Sequence, residues 1–109
     1  MFTHRAQIQL KPNSFIELSQ KIQNKIMPAL RLQKGFCHGV TSIDTIWLTA
    51  IEETHWETIE DAEIYQRTGY PETLKMLYGL IDSEPVTSIF EVSSSKFNRS
   101  KKPLDHLFV

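Results

Sequence analysis

Four histidines and one cysteine are the side chains of this 109-residue chain that most readily move a proton or hold a metal near neutral pH: His4, His38, His55, His106 and Cys37. Their spacing is too scattered for a ligand set, and no third donor joins any pair at a metal-binding interval, so no metal is expected. His4 and His38 fall on candidate strands and would approach one another if those strands pair. Cys37 adjoins His38, but neighbouring residues of a strand point to opposite faces, which argues against a Cys–His nucleophile pair. No serine sits in a Gly-x-Ser-x-Gly elbow, and four glycines supply no phosphate-cradling loop. Hydrolase, kinase and nucleotide-binding readings fall away.

A second group is aromatic. Phe36, Trp56, Tyr65, Tyr70 and Tyr78 are placed to gather where helices cover a sheet. Tyrosine and tryptophan offer an apolar wall with a polar handle, which suits a planar ligand and equally suits the core of a small domain.

The elements that must position these residues follow from periodicity. Residues 2–10 alternate, with Phe2, His4, Ala6, Ile8 and Leu10 on one face and Thr3, Arg5, Gln7 and Gln9 on the other, the period of a half-buried strand. After the break at Lys11-Pro12-Asn13, Ser14 and Glu17 have capping-box spacing, with Asn13 competing for the cap. Phe15, Leu18, Ile22, Ile26, Ala29 and Leu30 then form a helical stripe, interrupted by Pro28, which removes the donor that would bond to Asn24 and predicts a kink there. Gly35 is suited to a left-handed exit. Residues 36–43 and 45–53 read as a hairpin turning around Ser42-Ile43-Asp44-Thr45. Thr58 is placed to cap a helix whose third position is Asp61, with Ile59, Ala62 and Tyr65 inward and Gly69 closing it. Pro71 opens a further short helix with Leu74, Leu77, Tyr78 and Ile81 inward, and residues 86–93 form the last strand. The order strand, helix, strand, strand, helix pair, strand predicts an α+β, ferredoxin-like βαββαβ antiparallel sheet with helices on one face.

Composition sets further bounds. The net charge of −1 creates no global field that would draw nucleic acid or an anionic membrane. A lone cysteine excludes an internal disulfide framework, and no apolar run is long enough to span a bilayer. The N-terminus lacks the pattern of a signal peptide, and a cytoplasmic location is the expectation. Lys96, Arg99, Lys101 and Lys102 make a basic tail that turns apolar at Leu104, Leu107, Phe108 and Val109, with no stacking platform for a single strand beside it.

Pro28, Leu30, Gly35 and Phe36 at the helix-to-strand passage, Trp56 with Ala62 and Tyr65 after it, and Phe90-Glu91-Val92 in the last strand carry a resemblance. On these residues the chain resembles the antibiotic biosynthesis monooxygenase-like domains of the dimeric α+β barrel superfamily, over residues 2–94. The resemblance implies a domain over residues 1–95, followed by the tail 96–109. It implies a homodimer made by pairing two sheets face to face, which would cover the mixed apolar face of Arg5, Gln7, Trp47, Thr49, Ile51 and Ile89. It also implies a space between sheet and helices for a flat aromatic substrate, with Phe36, Trp56, Tyr65 and Tyr78 around it. Cofactor-free oxidation of a phenol there would need a base, and His38 is the candidate because histidine titrates near neutrality unperturbed. Tyr65 or Tyr78 would orient the substrate oxygen, and Trp56 would stack on it or donate its indole proton. Haem degradation of the type known in this family is not expected: Gln7 stands near its first-strand asparagine, Tyr65 replaces its second tryptophan, and no histidine lies between Leu74 and Tyr78. The other reading is a non-catalytic dimeric ligand-binding or structural module of the same fold, since one scaffold hosts both.

Overall fold

The computed structural model describes residues 1–92. The tail 96–109, with its basic residues and His106, lies outside them. Four strands, β1 (Phe2–Gln9), β2 (Phe36–Asp44), β3 (Thr49–Trp56) and β4 (Val86–Glu91), form one antiparallel sheet in the order β2-β3-β1-β4. The helical segments α1 (Phe15–Lys21), α2 (Met27–Arg31), α3 (Ile59–Ile64) and α4 (Tyr70–Leu77) make two helical stretches that cover one side of the sheet. This is the expected ferredoxin-like βαββαβ fold.

The alternation of β1 puts Ala6, Ile8 and Leu10 under the helices, where they meet Leu18, Ile26 and Leu30 from the first stretch and Ala62, Tyr65 and Leu77 from the second. Removing the largest buried side chain, Trp56, would cost about 3–5 kcal/mol. Thr58 caps α3 as its position requires, its hydroxyl accepting the Asp61 N–H at 3.1 Å. Gly35 turns the chain into β2 with a φ of 81°.

Both prolines are absorbed without breaking a helix. A π-turn at Ile22–Ile26 precedes Pro28, and a second at Tyr65–Gly69 precedes Pro71. A π-turn shifts the hydrogen-bond ladder by one residue, so the donor that proline lacks is not missed. Gly69 therefore does not close a helix: it is itself helical, and the chain runs on into α4.

Other expectations are corrected. Ser14 makes no capping box; its hydroxyl donates to the Lys11 carbonyl at 2.6 Å. The hairpin turns later than expected, at residues 45–48, because the Asp44 carboxylate accepts the N–H groups of Ile46 and Trp47 and holds that turn. Trp47 therefore stands at the hairpin tip rather than on the sheet. Ile89 faces the helices, opposite His4 on the neighbouring strand, while Val86 and Phe90 take the open side. β1 and β2 are separated by β3, so His4 and His38 are not neighbours; His38 pairs with His55. A bulge between Phe36 and His38 inserts Cys37 and breaks the alternation there, leaving Cys37 and His38 both exposed.

Candidate functional site

Strict alternation along β3 sends Ala50, Glu52, Thr54 and Trp56 under the helices together. Glu52 lies beside Ala6 of β1 and Thr41 of β2 in the register and is 5% exposed. Loss of hydration penalises its charged form, and burial pushes its carboxyl up to about 7. A group of that kind is half-ionised at neutral pH and can take or return a proton there.

Around it stand His4, Tyr65 and Tyr70. The His4 ring meets the Tyr65 ring edge-on at 5.0 Å and the Tyr70 ring at a tilt at 4.9 Å, and its Nε2–H donates to Gln66 Oε1. Burial lowers the His4 pKa, which keeps the ring neutral at pH 7. Tyr65 stacks on Trp56 with ring centres 4.9 Å apart, and its hydroxyl shares a 3.3 Å hydrogen bond with Thr73. Burial raises the Tyr65 pKa, and the Glu52 charge raises it further. Tyr70 is pushed up to about 12 by burial first and by the Glu52 charge second, and its hydroxyl is buried with no hydrogen-bond partner among the described residues. The indole N–H of Trp56 donates to Thr54 at 2.9 Å, and Phe36 meets the Trp56 ring edge-on at 5.5 Å.

The arrangement therefore holds one carboxyl that titrates at neutral pH, one neutral imidazole and one unpaired phenol in a single aromatic nest. A cleft of about 260 Å³ between the two helical stretches is lined by Tyr65 and Thr73 together with Leu30, Gln33 and Met76. Among the described residues no group of three or more His, Cys, Asp or Glu side chains is placed to hold a metal.

Of the residues singled out in the sequence, Phe36, Trp56, Tyr65 and Tyr70 come together. Tyr78 does not join them: α4 ends at Leu77, and Tyr78 projects outward with 81% of its surface exposed, on the rim of a separate cleft with Lys11, Leu74 and Ile81. His38 lies on the opposite side of the sheet, exposed and stacked on His55, and reaches none of the buried groups. Glu52 went unselected in the sequence, although a carboxylate in the inward register of Ala50, Thr54 and Trp56 was the signal for it. The sequence pairs His4 only with His38, because the rings it meets lie 61 and 66 positions away on the covering helix.

No family model matches the sequence, and neither does any curated protein. Solved structures do match the fold. A protein of Bordetella bronchiseptica assigned as an antibiotic biosynthesis monooxygenase superposes with a TM-score of 0.71 at 13% identity, covering 84% of this chain and 96% of its own. A monooxygenase from the ActVA-Orf6 gene of Streptomyces coelicolor, solved with nanaomycin D, gives 0.70 at 13% identity, covering 84% and 87%. A Deinococcus radiodurans protein assigned to the same group gives 0.67 at 16% identity, covering 85% and 93%. By fold, the described chain is similar to these antibiotic biosynthesis monooxygenase proteins: one four-stranded antiparallel sheet with helices on one side.

Proposed function

We propose that the chain oxidises an electron-rich phenol with molecular oxygen, without a cofactor, and that Glu52 is the base. The observation that carries this reading is the buried Glu52 carboxyl, raised to about 7, beside the unpaired Tyr70 hydroxyl. A solved protein of this fold is a monooxygenase in complex with nanaomycin D, which supports a ligand site on this scaffold. The lining of the cleft at Tyr65 and Thr73 includes neither Glu52 nor Tyr70, so a phenol entering there must displace the Tyr65 ring before it gives its proton to Glu52 and accepts a hydrogen bond from the Tyr70 hydroxyl. The phenolate passes an electron to O2, and recombination forms a ring carbon–oxygen bond. Glu52 returns its proton to the terminal peroxide oxygen, then takes the proton from the same ring carbon as the O–O bond breaks. The released hydroxide leaves with that proton as water, so phenol plus O2 gives quinone plus H2O.

The enzyme is proposed to act as a homodimer. The sheet face away from the helices carries Val40, Ile51, Val86 and Phe90 around the Arg5–Glu53 ion pair at 3.7 Å. Helices cover only the other face, and a second copy placed on this apolar surface would bury it.

The test is turnover of 1,5-dihydroxynaphthalene, read as oxygen uptake and as the visible band of the hydroxynaphthoquinone product. Glu52→Gln is expected to lower the rate by about 10²-fold or more. Equal rates in the wild type and Glu52→Gln would sink the reading. A non-catalytic module is favoured by one observation: Trp56 and Tyr65, at 0% and 2% exposure, already fill the space between sheet and helices. That reading predicts no turnover and equal native and denatured masses per chain.

A further inference from the structure

On the open face of the sheet, at the end where β1 and β2 begin and β3 finishes, His38 and His55 stand directly opposite one another on adjacent strands. Their rings face each other with centres 4.3 Å apart and planes 30° apart. Nδ1 of His55 is engaged by the Thr3 hydroxyl at 2.8 Å. In the tautomer where Nδ1–H donates to Thr3, the Nε2 lone pair of His55 is the one left free. Metal-bound histidines are commonly oriented in this way, by a hydrogen bond on the nitrogen that does not bind.

We propose that His38 and His55 form a cross-strand site for a divalent transition-metal cation such as zinc, separate from the buried Glu52 cluster. An imidazole nitrogen binds zinc at about 2.0–2.1 Å, so two nitrogens on one tetrahedral ion lie about 3.3 Å apart. In the stacked arrangement the two in-plane lone pairs run side by side rather than converging, so the exposed His38 ring must turn out of the stack to bring its nitrogen to an ion held by His55. Water completes the coordination, because no third His, Cys, Asp or Glu of the described residues joins the pair. In the single chain such a site is open and exchangeable, and it is selective for ions that accept nitrogen ligands; it lies on the sheet face proposed to meet the second copy. The pair was hidden in the sequence because its members are 17 residues apart and meet only through the β2–β3 register.

The test is calorimetric titration of tag-free, chelator-washed full chain with zinc chloride. The wild type and Cys37→Ser are expected to bind equally. His38→Gln and His55→Gln are each expected to weaken binding at least tenfold, while keeping the wild-type melting temperature within a few degrees. The imidazole NMR signals of His38 and His55 should shift with zinc, and those of His4 should not. Absence of binding by the wild type, unchanged binding by either histidine variant, or loss of binding in Cys37→Ser would overturn the proposal.

Discussion

Gly69 lies so close to the ring of Tyr65 that a Cβ at this position would sit 2.6 Å from Cδ1 and 3.0 Å from Cε1. The ring has little room to retreat, because it stacks on Trp56, meets His4 edge-on and shares its hydroxyl with Thr73. Gly69 is helical, so alanine there gains about 1 kcal/mol of helix propensity. The overpacking costs about 1–3 kcal/mol. Gly69→Ala is therefore expected to be the less stable protein in urea unfolding. A gain in stability would mean that the Tyr65 ring yields.

Glu52 gives a pH dependence with a definite sign. Its folded pKa of about 7 lies above the ordinary 4.5, so the folded state holds the proton more tightly than the unfolded chain. Stability is unaffected by this group below about pH 4.5, falls between pH 4.5 and 7, and stays lowered above that. The total loss is about 3 kcal/mol. His4, whose pKa is lowered by burial, acts in the opposite direction: it weakens the fold as pH falls below its ordinary 6.5. The difference between the wild type and Glu52→Gln isolates the carboxyl. Glu52→Gln should be the more stable protein at pH 8 and should lose the advantage by pH 4. Parallel pH profiles would contradict the burial of a titrating Glu52.

Two tyrosine hydroxyls should respond oppositely to removal. The Tyr70 hydroxyl is buried without a partner among the described residues, so Tyr70→Phe removes a desolvated polar group and should stabilise by about 1 kcal/mol. The Tyr65 hydroxyl bonds to Thr73, so Tyr65→Phe should destabilise by about 1 kcal/mol. Thermal melts of the two variants check this. If Tyr70→Phe also slows oxidation of 1,5-dihydroxynaphthalene, the hydroxyl belongs to the ligand rather than to the fold.

Val86 is 72% exposed on an edge strand, where aspartate is compatible with the isolated fold. Val86→Asp is expected to turn the proposed dimer into a monomer in light scattering, with the circular dichroism spectrum unchanged. A variant that remains dimeric would place the interface elsewhere.

Much of this protein is local and therefore legible in one dimension. The period of two in residues 2–10, the Thr58–Asp61 cap, the left-handed turn at Gly35 and the inward set of Trp56, Ala62 and Tyr65 each depend on neighbours a few positions away. Trp47 and Ile89 were placed on the wrong surface for physical reasons. The Asp44 carboxylate captures two backbone donors and moves the turn, and the parity of β4 is set only by its register with β1. Pro28 and Pro71 predict a kink and a new helix start, but both stretches run on through π-turns, because whether a helix breaks or widens is decided by the packing that holds both halves together.

The sequence by itself determined the order of elements, the helix-covered sheet and the aromatic residues of its core, because hydrophobic period and caps act over short distances. Only the tertiary structure decided which titratable groups meet. Placing β3 between β1 and β2 brought His55 to His38, and the covering helix brought Tyr65 and Tyr70 to His4 and Glu52. Strand order and register are contacts between residues far apart in the chain, and the desolvation that retunes Glu52 exists only once those contacts close over it.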